Sequence, residues 1–168
     1  MYEARKVCNF VLSRYDAAGF AVTNLRINKL LFFMHIEALR RNPEGLIRNH
    51  FEAWQFGPVV RPVFEAFKHH GEKFISAPAT YLDYASGQMK PIPYDEISSA
   101  DAELICRVFE EYSRFTTGQL VSLSHETGAP WDVIYQACLR EKSLSPRIPN
   151  ELLRQHYHVG ESKTVNRH

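Results

Sequence analysis

Ser124, His125 and Glu126 stand next to one another and supply the residue types of nucleophilic catalysis. Adjacent residues on a helix point about 100° apart, so these three cannot converge as a triad without partners from elsewhere. Lys29 sits among Leu25, Leu30, Phe32 and Phe33. An amine in such surroundings could act as a base if burial lowered its pKa. The alternative is a buried stem with the ammonium paired to a carboxylate, for which Glu52 and Glu65 are the candidates. Asn28 and His35 are seven residues apart on the same helical face, a spacing that suits satisfied buried hydrogen bonds better than a catalytic dyad. His69 and His70 fall at a predicted helix end, where the carbonyl dipoles favour an imidazolium. His156 and His158 could chelate weakly at the edge of a polar tail.

No Gly-rich phosphate loop, nucleophile elbow, HExxH motif or paired-cysteine zinc set occurs in the chain. The expectation is therefore no catalytic residue, no metal site and no cofactor. The three cysteines, Cys8, Cys106 and Cys138, lie inside apolar helical patterns and read as buried free thiols of a reducing compartment. Twenty basic residues against nineteen acidic ones give a formal charge of +1, which does not suit a general polyanion binder. No stretch approaches the roughly 20 apolar residues needed to cross a bilayer, and the N-terminus does not read as a signal peptide. A cytoplasmic protein without a membrane contact is expected.

The elements that must position these residues are mostly helical. Ala4, Val7, Cys8, Val11, Tyr15 and Ala18 form the stripe of an amphipathic helix ended by Gly19. Thr23 caps a second helix whose apolar residues from Leu25 to Leu39 cover nearly every side, so it should run through the middle of the domain. Phe51 to Phe56 reads as a short extended segment, with helix open as an alternative. Gly57-Pro58 marks a turn, and Pro62 suits the first turn of the next helix. Thr80–Tyr84 and Gln88–Ile92 could pair as a small hairpin or form an irregular loop. Ser98 with Asp101 and Thr116 with Gln119 read as capping boxes, and Pro130 and Pro149 as helix starts. The fold class is mainly α, six or seven helices with a small antiparallel β-hairpin, in a single compact domain. Residues 158–168 read as a flexible polar tail.

Three segments in register resemble the Panacea domain family, which includes SocA-like antitoxins and phage-associated proteins. Thr23 to Phe33 is similar to the family's TNLKLQKLLYF helix. Ala53 to Val60 is similar to AWxYGPVV, followed by Val63, Phe64 and Phe67. Leu123-Ser124-His125 with Pro130-Trp131 matches LSH…PW. The resemblance covers residues 2–157, which makes 1–157 the family domain. Asn28 replaces the family's glutamine, Phe32 and Phe56 its tyrosines, and Arg61 its proline. The tyrosine exchanges imply core positions without a polar tip. The signature positions Lys29, Gly57, Pro58, Val59, Phe64, Pro130 and Trp131 read as structural.

The resemblance implies an antitoxin that neutralises a cognate toxin protein by direct binding, and in SocA-like members one that also hands the toxin to a ClpXP protease through the ClpX unfoldase. A toxin-docking face at Trp54, Phe56, Arg61 and His125 follows from the clustering of turn and aromatic residues. The bland alternative is that Trp54, Gly57, Pro58, Val59 and Trp131 only set a corner and fill the core. Two other classes stay open: a DNA-binding regulator using consecutive helices between 98 and 140, and an enzyme using Lys29, His35 or His125. The helix from Pro130 to Arg140 carries Arg140 as its one basic residue, which argues against a recognition helix and makes nucleic acid an unexpected partner.

Overall fold

The structure, a computed structural model, describes residues 1–15, 19, 21–142 and 145–159, with 158 and 159 described by backbone alone. Helices α1 (Ala4–Tyr15) and α2 (Asn24–Leu39) lead into strands β1 (Phe51–Trp54) and β2 (Gly57–Val59) and helix α3 (Arg61–Phe67), which ends in a 3-10 turn over Lys68–His70. Strands β3 (Thr80–Asp83) and β4 (Gln88–Pro91) follow, then α4 (Ser99–Ser113), α5 (Thr117–Ser124), α6 (Pro130–Arg140), β5 (Arg147–Ile148) and α7 (Asn150–Val159). The mainly α expectation with seven helices holds. Ala18 lies outside the described residues, as does the expected tail from 160 onward; α7 itself runs two residues into that expected tail.

Helix α2 organises the molecule because it is buried on nearly every side. Thirteen of its sixteen residues are buried, and it touches α1, α3, α4, α5, α7 and β2. Thr23 caps it as expected, its hydroxyl accepting from the Arg26 amide at 3.2 Å. Arg26 reaches the other way and donates to the Phe115 and Ser113 carbonyls at 2.9 and 3.0 Å. It thereby satisfies acceptors left over at the end of α4. Around this rod Phe32, Phe51 and Phe33 meet edge to face, and Phe33 stacks on Tyr112 at 4.5 Å.

The strands form two small antiparallel sheets. In one, β1 lies between β2 and β5, with Trp54 opposite Gly57 and Phe51 opposite Ile148. This sheet was legible only as a single extended segment. The other is the β3–β4 hairpin, paired from Thr80–Pro91 to Asp83–Gln88. Its strands are largely exposed, and its base is pinned by a buried side chain of α1. Asn9 donates to the Ala79 and Ile92 carbonyls at 2.8 and 2.9 Å and accepts from the Ala79 amide at 2.7 Å.

The helix starts read from the sequence are present, one with different wiring. Thr116 and Gln119 make a complete capping box. At α4 the Ser98 hydroxyl accepts from the Asp101 amide, but the Ser98 amide donates to the Tyr2 hydroxyl, which in turn donates to Asp101 at 2.7 Å. The first residues of the chain are thereby fastened to the fourth helix. Of the three cysteines only Cys8 is buried, whereas Cys106 and Cys138 are half-buried, so the expectation of three buried thiols is corrected. Among the described residues no helix is long and apolar enough to cross a membrane.

Candidate functional site

The signature residues gather at the β1–β2 turn. Gly57 closes that turn at φ +98°, a conformation that L side chains rarely adopt. A second constraint is steric. A Cβ at Gly57 would lie 2.7 Å from Lys29 Cε, 2.8 Å from Ser124 Oγ and 2.9 Å from Lys29 Nζ. The turn therefore closes directly onto the polar ends of side chains from α2 and α5.

Three polar side chains hold the turn from below. Lys29 Nζ donates to the Pro58 carbonyl at 2.9 Å. The Val60 amide donates to Asn28 Oδ1 at 2.9 Å, and Asn28 in turn donates to Asn24. Trp131, buried at the start of α6 beside Pro130, donates its indole N–H to the Trp54 carbonyl at 2.9 Å. Lys29 does not pair with Glu52 or Glu65, and that expectation is corrected. Glu52 is taken by Arg61 and Trp54, and Glu65 by Lys68. With a carbonyl as its partner and no solvent contact, burial pulls the Lys29 pKa down to about 7.

The outer layer is built differently. Glu52 grips Arg61 with both carboxylate oxygens, at 2.6 and 3.1 Å, and accepts the Trp54 indole N–H at 2.8 Å. The Arg61 guanidinium lies 5.2 Å from the centre of the Trp54 ring, and Phe64 meets that ring edge-on at 4.8 Å. Beside them Phe56 projects from the tip of the turn with 61% of its surface exposed. The expectation that Phe56 fills a core position is therefore wrong: a turn two residues wide has no interior for it. Leu123 is also exposed, at the end of α5.

His125, two residues beyond Leu123, lies flat on Trp131, ring centres 3.6 Å apart and planes 2° from parallel; Tyr135 also stacks on Trp131, at 4.8 Å. Burial first, then the nearby Lys29 charge, lower the His125 pKa, against a smaller opposite pull from Asp132. Trp54, Phe56, Arg61 and His125 thus share one corner with Lys29, Gly57, Pro58, Phe64, Pro130 and Trp131. Val59 is buried opposite Glu52 in the same sheet.

Of the residues of the enzyme reading, Lys29 and His125 stand at this corner, whereas His35 does not. Lys29 is 0% and Ser124 1% exposed, and the Ser124 hydroxyl donates to its own helix at Val121. His35 lies at the far end of α2. Its Nδ1 accepts from the Ile47 amide at 3.1 Å, which leaves the proton on Nε2, 3.0 Å from Asn150 Oδ1. Burial lowers its pKa to about 4. Asn28 and His35 are each satisfied, by separate partners.

His70 corrects another expectation. Its Nε2 is buried without a hydrogen-bond partner, and burial and the adjacent His69 lower its pKa, so the ring is neutral near pH 7. Among the described residues no group of three or more His, Cys, Asp or Glu side chains is placed to hold a metal. His156 approaches Glu126 at 4.0 Å, and the His158 side chain lies outside the described residues.

Two roles were missed in the sequence. Glu52 was read as a partner for Lys29, whereas it ties Trp54 to Arg61. The sequence offers Ser124 as one of three adjacent residues that cannot converge as a triad, whereas it forms the floor beneath Gly57. Nothing in their spacing signals either role, because each depends on contacts across two elements.

Comparison with known proteins gives a consistent picture. The family model described as Antitoxin SocA-like, Panacea domain, matches residues 27–132. Antitoxin SocA of Caulobacter vibrioides (strain NA1000 / CB15N) is 34% identical over 158 residues, which cover 92% of this chain and 82% of that protein. No solved structure matches the chain.

Proposed function

We propose that this chain, which belongs to the SocA-like Panacea-domain antitoxin family, neutralises a cognate toxin protein in the cytoplasm by binding it directly at the Trp54–Phe56–Arg61–His125 corner. The observation that carries this reading is Phe56, a large aromatic with 61% of its surface in solvent on a turn fixed by buried bonds from α2 and α6. An exposed aromatic on a rigid support suits a binding anchor, because little motion is lost when it is covered. The Arg61 guanidinium, already oriented by Glu52 and Trp54, supplies a directed donor beside it. Neutralisation then needs shape and charge alone, with no cofactor and no bond-making step.

The test is co-expression with the small reading frame next to its gene. Wild-type chain restores growth, and Phe56→Ser, Trp54→Ala and Arg61→Ala lose the rescue while their unfolding midpoints show a folded protein. Equal rescue by all three variants overturns the docking face; no toxicity from the neighbour counts against the antitoxin reading. Delivery to a ClpXP-type protease is the finer form of the proposal. It is separated from occlusion by the toxin's half-life, which shortens when the antitoxin is present only if delivery occurs.

A further inference from the structure

At the opposite end of β1 from Phe56, a cavity of about 490 Å³ opens between residues 44–50 and 147–150. Arg48, His50 and Arg147 line it, each largely exposed, and among the described residues neither arginine has a carboxylate partner. Two guanidiniums without a described carboxylate partner line one concavity, and the Arg147 charge lowers the His50 pKa after burial has done so, against an opposite pull from Glu52. Such a cluster is relieved by a bound anion.

Both walls are held in place before any ligand arrives. The Arg48 amide donates to the Tyr2 carbonyl at 2.8 Å, and the Asn49 side chain accepts from the Ala4 amide at 2.8 Å. Arg147 lies on β5, paired with Glu52 of β1 across the strand backbone. Beneath the floor the buried His35 ring joins the walls, one nitrogen on the Ile47 amide and the other on Asn150. Gly45 makes room for that ring, since a Cβ there would lie 2.4 Å from His35 Cε1. The arginines are therefore carried on fixed backbone, as a site for a charged group requires.

We propose that the Arg48–His50–Arg147 cavity binds the side-chain carboxylates of an acidic peptide segment from a partner protein, independently of the corner at Phe56. A nucleic acid fits less well. Glu44 lines the same cavity and leaves it only weakly cationic, which suits one or two carboxylates of a short segment and not a continuing phosphate backbone. Two arginines in a pocket also give no track for the several phosphates on which such binding depends.

The experiment is fluorescence anisotropy of the full chain with a labelled short oligoglutamate peptide at low ionic strength, where screening is weak. Wild type binds, Arg48→Gln and Arg147→Gln each weaken binding about tenfold, and the double variant loses it. Arg114→Gln, at an exposed arginine far along the chain at the end of α4, leaves it unchanged, which separates this site from general attraction to a cationic surface. Full binding by the double variant, or none by wild type, overturns the proposal. So does an oligothymidylate of equal charge that binds more tightly through the same arginines, or inorganic phosphate that displaces the peptide at equal charge concentration. The arginines are exposed and unpaired, so the variants keep the wild-type unfolding midpoint.

Discussion

Helices α2 and α6 differ more than their sequences suggest. Both are rich in large apolar residues and both begin at a recognisable signal, although only α2 is apolar on nearly every side. Yet α2 buries residues along its whole length, whereas α6 buries only Pro130 and Trp131 and leaves Val133 and Leu139 44% and 59% exposed. The polar side chains show the same contrast. On α2, Asn24, Asn28, Lys29 and His35 each bind the backbone or a side chain of another element. On α6, Asp132 caps its own helix start and Gln136 binds Asp132 one turn away. A polar group inside a helix with no solvent face must find a partner elsewhere, and that partner becomes fixed. The first helix is a frame, and the last turns of the second are surface.

The largest test of this contrast is truncation in the frame. Phe32→Ala, at a fully buried position on α2, should lower unfolding free energy by about 3–5 kcal/mol in a urea titration. A loss comparable to that of a surface substitution would show that α2 is not the frame. Next comes the turn that α2 supports. Gly57→Ala meets both the positive φ and the contacts with Lys29 and Ser124, and should cost roughly 3 kcal/mol.

The third effect is a slope with pH. Burial sets the Lys29 pKa at about 7 in the folded chain, below its unfolded value of roughly 10.4. Between these values the unfolded chain binds more protons, so stability must rise with pH. The clean window runs from pH 7 to about 8.5. Above it the buried Cys8 thiol, whose pKa is raised, opposes the trend, since only the unfolded thiol ionises there. Lys29→Met should flatten the slope; an equal slope in that variant assigns it to another group.

His35 gives the acid counterpart. Its pKa is about 4 when folded, so stability should fall as pH drops from roughly 6.5 toward that value. His35→Gln, measured by thermal unfolding across that range, should lose part of the fall. The smallest effect belongs to α6. Val133→Ser and Leu139→Ser should each change stability by less than about 0.5 kcal/mol. A larger loss in either would place that side chain in a core the structure does not show.

Much of the fold was readable because it rests on local rules. The stripe from Ala4 to Tyr15, the all-round apolar pattern of α2, the Thr23 and Thr116 caps and the prolines at 62, 130 and 149 act through neighbours within a turn or two. Gly57-Pro58 marked a corner for the same reason. What failed were assignments that depended on which distant residue would arrive. Lys29 met a carbonyl instead of a carboxylate because Glu52 had two better-placed donors, Trp54 and Arg61. Phe56, in place of a family tyrosine, implied a core position and lies in solvent by its place in the turn.

The sequence by itself determined the helices, their starts, the central burial of α2 and the family resemblance, since each is encoded in short-range spacing and residue type. Only the tertiary structure decided that Gly57 closes over Lys29 and Ser124, that His35 joins two walls more than a hundred residues apart, and that Arg48 and Arg147 share a cavity. Those relations arise from packing whole elements together, and no periodicity along the chain carries the distance between them.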